Sequence, residues 1–177
     1  MKNLAIIIFS IISMTGFSQV AIGKSSVSSN SVSLEFGNQN RGLLLPWVTN
    51  TDDVAGAVDG TMVYALNDKK VKVKYVSGWK DLSVNSEGKT IDPVTNVDGV
   101  AIQDAANENP NAKVSIGEPS STPGILVLED TDKAMILPKV ADPHLNIMNP
   151  SPGMMVYDTT KKLLAVFNGT FWSYWRS

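Results

Sequence analysis

The residues that could bind a metal are few and are scattered along the chain. Cysteine is absent and His144 is the only histidine, whereas a zinc site normally takes three or four His, Cys or acidic ligands. Asn96, Asp98 and Gly99 are spaced as in a calcium-binding loop. Ala105, however, stands where that loop needs a bidentate acidic ligand. We therefore interpret this segment as an Asx-rich turn and predict no metal site.

Motifs for nucleophilic catalysis and phosphate binding are also missing from the sequence. There is no Gly-x-Ser-x-Gly elbow and no phosphate-binding glycine loop. A Ser–His–acid set would have to use His144, which lies in a predicted loop. Paired acids for glycoside hydrolysis stay open, because the distance between two carboxylates is not visible in a sequence. We predict that the protein is not an enzyme and has no catalytic and no cofactor-binding residues.

Aromatic side chains are the remaining candidates, since exposed Trp and Tyr can stack on sugars or anchor a protein partner. Four of them recur at equal spacing in two parts of the chain, which favours a role in the core: Tyr64, Trp79, Tyr157 and Trp172. Trp47 and Trp175 have no counterpart in the other part, and Tyr174 stands beside Trp175. We therefore predict a contact surface formed by Trp47, Tyr174 and Trp175.

An internal repeat organises the segments that carry these residues. Residues 60–64 read Gly-Thr-Met-Val-Tyr and residues 153–157 read Gly-Met-Met-Val-Tyr, so their tyrosines are 93 positions apart. Further matches, at offsets of 92 and 94 residues, are Leu43–Pro46 with Met135–Pro138 and Ala21–Gly23 with Ser115–Gly117. Landmarks in one order at nearly one offset indicate two copies of a module of about 60 residues.

Hydrophobic alternation predicts that β-strands form both copies. Residues 70–76 place valines on one face and three lysines on the other, as in an antiparallel strand with a solvated face. Residues 43–48 are apolar on consecutive positions, which predicts one short strand. Three strands of a meander are predicted in the second copy at residues 154–157, 163–167 and 170–175. Asn168 and Gly169 predict a type I′ hairpin turn within that meander, because both central positions of this turn need a positive φ.

The predicted fold is therefore all-β, with two copies of a small antiparallel β-meander module joined by an irregular linker. The first module is residues 19–82, the linker is residues 83–113 and the second module is residues 114–177. The linker is rich in Asn, Asp, Gly, Pro and Ser, and residues 97–102 could form one short strand within it. The sequence leaves open whether the two modules dock on each other or lie apart.

Residues 1–18 are interpreted as a secretory signal peptide. Lys2 precedes an apolar run from Leu4 to Met14, and small residues then lead to a cleavage site before Gln19. The run is shorter than the roughly 20 residues that a membrane-spanning helix needs. We predict a mature chain without a membrane span that is secreted or at the cell surface.

Composition limits the classes of protein and of partner. Hydrophobic residues make up 43% and charged residues 18% of the chain, as in one or two small globular domains. The net charge of −2 does not indicate a nucleic-acid partner. A module of about 60 residues without disulfides is marginally stable alone. Docking of the copies, oligomerisation or a bound metal would add stability, and oligomerisation is the preferred interpretation.

The second copy resembles a repeat of secreted and cell-surface proteins of Bacteroidota that is also seen in tail-fibre-like proteins. The motifs that carry the resemblance are Ser115–Gly117, Ala134–Val140, Pro152–Thr160 and Phe167–Trp172. It covers most of residues 114–175 and, more weakly, residues 20–82. The resemblance implies a β-rich, non-enzymatic module of elongated or adhesive proteins that are commonly trimeric, with no catalytic residues to carry over.

These observations predict a secreted, non-enzymatic structural or adhesion-type protein that acts through oligomeric, fibre-like contacts. The expected partners are further copies of the chain in a homo-oligomer, and a trimer is the assembly that the resemblance implies. The alternative is a monomeric module that binds a surface glycan or a protein through exposed aromatic side chains. The two hypotheses differ in self-association, which the first requires and the second does not.

Overall fold

The computed structural model of the chain describes residues 19–37, 39–84, 88–92, 95–104, 113–117, 121–129 and 132–176. The predicted signal peptide lies outside the described residues. The strands are β1 (Val20–Ile22), β2 (Val32–Phe36), β3 (Leu43–Leu44), β4 (Trp47–Val48), β5 (Met62–Ala65), β6 (Lys70–Tyr75), β7 (Gly78–Asp81), β8 (Val114–Gly117), β9 (Leu126–Glu129), β10 (Ala134–Ile136), β11 (Lys139–Val140), β12 (Met154–Asp158), β13 (Leu163–Phe167) and β14 (Trp172–Trp175). The helical segments are α1 (Gly99–Asp104), α2 (Pro143–Asn146) and a 3-10 turn (Thr51–Asp53). The predicted all-β class is confirmed, and no helix in the described part of the chain is long and apolar enough to cross a membrane.

Strands β4 to β7 form a four-stranded sheet in chain order. Strand β4 is parallel to β5, and the other neighbours are antiparallel. The alternation that predicted β6 is visible in its burial, since Val71 and Val73 face the core. The lysine face is not simply solvated, because Lys70 forms an ion pair with Asp81 at 2.8 Å. This ion pair raises the pKa of Lys70 and joins β6 to β7.

Strands β11 to β14 form a second sheet with the same order and the same strand directions. Gly60 and Gly153, 93 residues apart, precede the second strand of each sheet with φ of 89° and 83°. Lys69 and Lys162, also 93 residues apart, have φ of 55° and 56° in the next turn. The turns that connect the two sets of strands therefore share a backbone geometry. The bounds of the two modules stay a prediction.

The predicted single strand at residues 43–48 is instead two strands that belong to different sheets. Strand β3 pairs antiparallel with β12 of the second sheet, whereas β4 pairs with β5 of the first. The chain crosses between the sheets at Pro46, where the N–H of Leu45 donates to the Gly153 carbonyl and the Pro46 carbonyl accepts from Tyr64. Proline has no N–H to continue a ladder, so a strand ends there.

Two further sheets are built from parallel strands, which the meander prediction did not include. Strand β2 lies between β1 and β10 in a three-stranded sheet, and both neighbours run parallel to it. Strands β8 and β9 form a two-stranded parallel pair. We call β8 and β9 the parallel ribbon.

Two local predictions were wrong. Residues 99–104 are helical rather than part of a short strand, and the Asp98 carboxylate accepts from the N–H of Val100 at the start of the helix. The turn after β13 is not type I′, because Gly169 has a positive φ but Asn168 does not. The Asn168 side chain accepts instead from the N–H groups of Thr170 and Phe171.

The main hydrophobic core is shared by the two halves of the chain. Its buried members are Leu45, Tyr64, Val71, Val73, Leu82, Met155 and Val166. The two sheets therefore dock on each other. Of the four aromatic residues predicted to be core, Tyr64 is fully buried, and the other three are half-buried. A second, smaller cluster lies on the other side of β12 and β13 and consists of Val140, Ile147, Val156 and Ala165.

Candidate association surface

Two of the predicted contact residues lie at the junction between the sheets. The indole N–H of Trp47 in β4 donates to the Pro152 carbonyl at 2.9 Å, and its ring packs 5.4 Å from Tyr64. The indole N–H of Trp175 in β14 donates to the Leu82 carbonyl at 2.7 Å. Both side chains are half-buried and pack against the shared core. Their polar groups are used within the chain, so these tryptophans join its two halves.

Tyr174, the third predicted contact residue, lies apart and packs against the smaller core cluster. Its hydroxyl is 3.2 Å from Nδ1 of His144, and Nζ of Lys161 lies 4.1 Å from its ring centroid. Burial raises the pKa of Tyr174. The structure therefore brings Trp47 and Trp175 to the same core and places Tyr174 elsewhere. No three His, Cys, Asp or Glu side chains converge as metal ligands within the described ranges.

Replacing Trp47 with phenylalanine tests the role of this indole at the junction. We expect the free energy of unfolding to fall by about 1–3 kcal/mol, because a hydrogen bond of about 1 kcal/mol and part of a packed ring are lost. Urea denaturation of the variant measures this change. The same replacement at Trp79, a half-buried tryptophan of β7, is the matched control. An equal loss at both positions would contradict a special role for Trp47.

Asn168 connects the hairpin loop of the second sheet to the first sheet. Its carbonyl accepts from the Tyr64 hydroxyl at 3.0 Å and from the N–H of Lys89 at 3.1 Å. The residue is 2% exposed, so its amide is not accessible as the glycosylation acceptor that the Asn-Gly-Thr pattern would allow. Asn168 therefore has a structural role at the junction.

A buried carboxylate in β2 was missed by the sequence reading. Glu35 accepts from Nζ of Lys24 at 2.6 Å and from the N–H of Ser28 at 2.6 Å. These contacts lower its pKa to about 2, with the Lys24 hydrogen bond as the largest cause. The alternation of Val32, Leu34 and Phe36 with two polar residues would place Glu35 on a solvated face, so the sequence carries no signal of its burial. Through these two contacts Glu35 holds Lys24 and Ser28, at the start of the serine-rich residues 25–33, against the three-stranded sheet.

Acid is expected to destabilise the protein partly through Glu35. Because the folded-state pKa lies below the ordinary value of 4.5, the contribution is complete above pH 4.5 and is lost as pH falls toward about 2. Urea denaturation across this pH range should show a flatter pH dependence for Glu35→Gln. The control Lys24→Met keeps the Ser28 contact and should move the loss to higher pH. An unchanged pH dependence in Glu35→Gln would contradict this account.

An open cleft lies beside Trp47 and is lined by residues of the predicted linker and by residues of the loop that precedes β12. Its apolar lining comes from Leu44, Trp47, Ile91, Val97, Pro150 and Pro152. Thr90, Asp92, Thr95 and Ser151 add polar groups to the wall. Several of the apolar side chains are exposed, so this is the place where a small ligand could contact an aromatic ring.

Exposed aliphatic side chains cluster at one end of the parallel ribbon. Val114 and Leu126 are directly paired in the ribbon, and the carbonyl of the adjacent Ile125 accepts from the N–H of Val114. All three side chains are exposed. Parallel sheets are normally covered on both faces, and two-stranded sheets are rarely stable alone. The ribbon therefore resembles part of a larger sheet that lacks further strands.

The chain is all-β, with a core shared by its two halves and three exposed aliphatic side chains at one end of the parallel ribbon, whereas Ile116 and Val127 of the ribbon are buried. Contiguous exposed apolar side chains can mark a surface that contacts another protein, a membrane or a ligand. A family model described as a phage tail like trimerisation region matches residues 106–177, which include β8 to β14. Comparisons with curated proteins and with solved structures found no match. The family match supports the tail-fibre-like part of the resemblance and suggests a structural, non-catalytic role for this part of the chain.

Proposed function

We propose that the protein is an exported, non-enzymatic structural subunit that assembles as a homotrimer through fibre-like contacts. The observation that carries this proposal is the similarity of residues 106–177 to a phage tail like trimerisation region. On the basis of the sequence resemblance, we also propose that the protein has an adhesive role at the cell surface. The same resemblance suggests that its repeat is of the Bacteroidota type.

The burial pattern supports association through a part of the chain other than the main core. Within the matched region, Met155, Val156 and Val166 are buried inside the chain and are not accessible to a partner. The exposed aliphatic side chains of the parallel ribbon belong to the same matched region. Covering them with further copies would remove apolar surface from water, which is favourable by about 25 cal/mol per Å².

The solution mass of residues 19–177 tests the proposal. Light scattering on a sizing column at two concentrations should give three times the mass of one chain at both. A single-chain mass at both concentrations would overturn the proposed assembly. The same measurement in high salt should change little, because the expected contacts are apolar.

Export is tested separately in a host that secretes proteins. The chain recovered outside the cytoplasm should begin at Gln19 when its N-terminus is determined by mass spectrometry, as the signal-peptide pattern predicts. Retention of the intact N-terminus in the cytoplasm would contradict export without affecting the proposed trimer.

The cleft beside Trp47 favours a second candidate function, the binding of a surface glycan or a protein. Its apolar wall and polar rim fit the general character of small-ligand sites. A sugar that stacks there should quench tryptophan fluorescence in the wild type and not in Trp47→Phe. An equal response in both proteins would contradict binding at this cleft.

A further inference from the structure

The three-stranded sheet formed by β1, β2 and β10 has a third strand that the parallel ribbon lacks. In that sheet Val20 of β1 pairs with Leu34 of β2, and in the ribbon Val114 of β8 pairs with Leu126 of β9. Val20 and Val114 are 94 residues apart, the same offset as the repeated Ile-Gly pairs. Leu34 and Leu126 therefore occupy equivalent positions in two parallel strand pairs.

These equivalent leucines differ strongly in exposure. Leu34 is 1% exposed, and Met135 of β10 pairs with it on the edge of β2 away from β1. Leu126 is 43% exposed, and among the described residues no strand pairs with the corresponding edge of β9. The edge of β9 therefore has no described partner strand, whereas the corresponding edge of β2 is paired with β10.

Strand β10, which pairs with this edge of β2, has a counterpart in the repeat. Met135 and Ile136 of β10 are followed by Leu-Pro, as are Leu43 and Leu44 of β3. Strand β3 uses one edge to pair with β12, and no described strand pairs with its other edge. The side chain of Leu44 is exposed. A strand of the required sequence type is therefore present on each copy of the chain.

We propose that the edge of β9 with which no described strand pairs binds, in each copy, residues 43–44 of a second copy as an added parallel strand. This inference rests on the proposed homotrimer and names the surfaces that form it. By the register of β10 on β2, Leu43 of one copy lies opposite Leu126 of its neighbour. Strand addition of this kind gains main-chain hydrogen bonds together with side-chain contacts. The two surfaces differ, and such heterologous contacts close into a ring when the rotation between copies permits.

Introduced cysteines test the register directly, because the chain has no cysteine of its own. In the double variant Leu43→Cys with Leu126→Cys, mild oxidation should produce covalent trimers on a non-reducing gel. Each single variant should stay at one chain, since its cysteine would have no partner. The control pair Leu44→Cys with Leu126→Cys should link much less, because neighbouring strand residues point to opposite faces.

A charged side chain at position 126 provides a second test, in which the stability of the trimer is measured. Leu126→Asp should weaken the trimer at least about tenfold in dissociation constant, the effect expected for a central apolar contact. Leu145→Asp in α2, which changes another exposed leucine, should leave the mass unchanged. Circular dichroism of both variants checks that the monomer fold is retained.

The outcomes separate this inference from the proposed function. A wild-type trimer that neither links through the cysteine pair nor responds to Leu126→Asp would overturn the strand contact and leave the trimer intact. Linking of the Leu126→Cys single variant would also overturn it, because the residue would then meet its own copy. A ladder beyond three chains would support the strand contact and overturn the closed trimer. A wild-type monomer would overturn both.

Discussion

Replacing Tyr64 with alanine is expected to lower the free energy of unfolding by about 3–5 kcal/mol, the usual cost of removing a large buried ring. Tyr64 is fully buried in the core that the two sheets share. Its hydroxyl donates to the Asn168 carbonyl across the junction, and burial raises the pKa of this hydroxyl. The variant therefore loses both a packed ring and a hydrogen bond between the halves. Urea denaturation followed by circular dichroism measures the loss.

Two further variants separate the contribution of the buried ring from that of the hydroxyl group. Tyr64→Phe keeps the ring and should cost about 1–2 kcal/mol, because the Asn168 carbonyl loses a buried donor. Tyr75→Ala removes an exposed tyrosine from the end of β6 and should stay within about 0.5 kcal/mol of the wild type. A small effect of Tyr64→Ala, similar to that of Tyr75→Ala, would contradict the shared core.

The second large effect is expected at Gly153. This residue has φ of 83°, and a Cβ added to it would lie 2.9 Å from Cβ of Tyr64 and 3.4 Å from Nε1 of Trp47. Gly153→Ala should therefore combine a left-handed backbone cost of about 1–2 kcal/mol with an overpacking cost of about 1–3 kcal/mol. The free energy of unfolding, measured by urea denaturation, should fall by the sum of the two.

The equivalent glycine of the first sheet is a matched control. Gly60 has φ of 89°, and a Cβ added to it would meet nothing within 4 Å. Gly60→Ala should therefore show the backbone cost alone. Equal losses for Gly60→Ala and Gly153→Ala would indicate that the close approach of Gly153 to Tyr64 and Trp47 does not limit the packing of the junction.

Local patterns in the sequence predicted several of the strands. Strand β6 followed from strict alternation of valine and lysine, and β12 followed from its match to β5 in the repeat. Such patterns report which face of a strand is buried, which depends on the neighbours along the chain. The loop at Asn168 was found by its composition, but its turn type was not, because the side chain competes with the backbone for hydrogen bonds.

Strand partners could not be predicted in the same way. Strand β10 pairs with β2 about one hundred residues earlier in the chain, and β3 leaves its own half to pair with β12. Pairing at this distance depends on the shape of the assembled core, which no local window contains. The parallel sheets were missed for this reason, and with them the uncovered edge of β9.

Trp47 has a role inside the chain that the repeat does not show. It was selected as a contact residue because the other copy has no tryptophan at that place, and in the structure its indole N–H also donates to the Pro152 carbonyl. The indole of Trp47 lies against Gly99, and a Cβ on that glycine would come within 2.6 Å of the ring. Gly99 belongs to the predicted linker, so the contact could not be read from either copy alone.

The number of chains in the assembly is the most direct test of the proposed trimer. Chains with and without a short affinity tag would be produced together in one cell, and the purified assemblies would be separated by native mass spectrometry. A trimer predicts four species that differ stepwise by one tag, from none to three. Three species would show a dimer, and two species would show chains that do not associate, and either result would contradict the account.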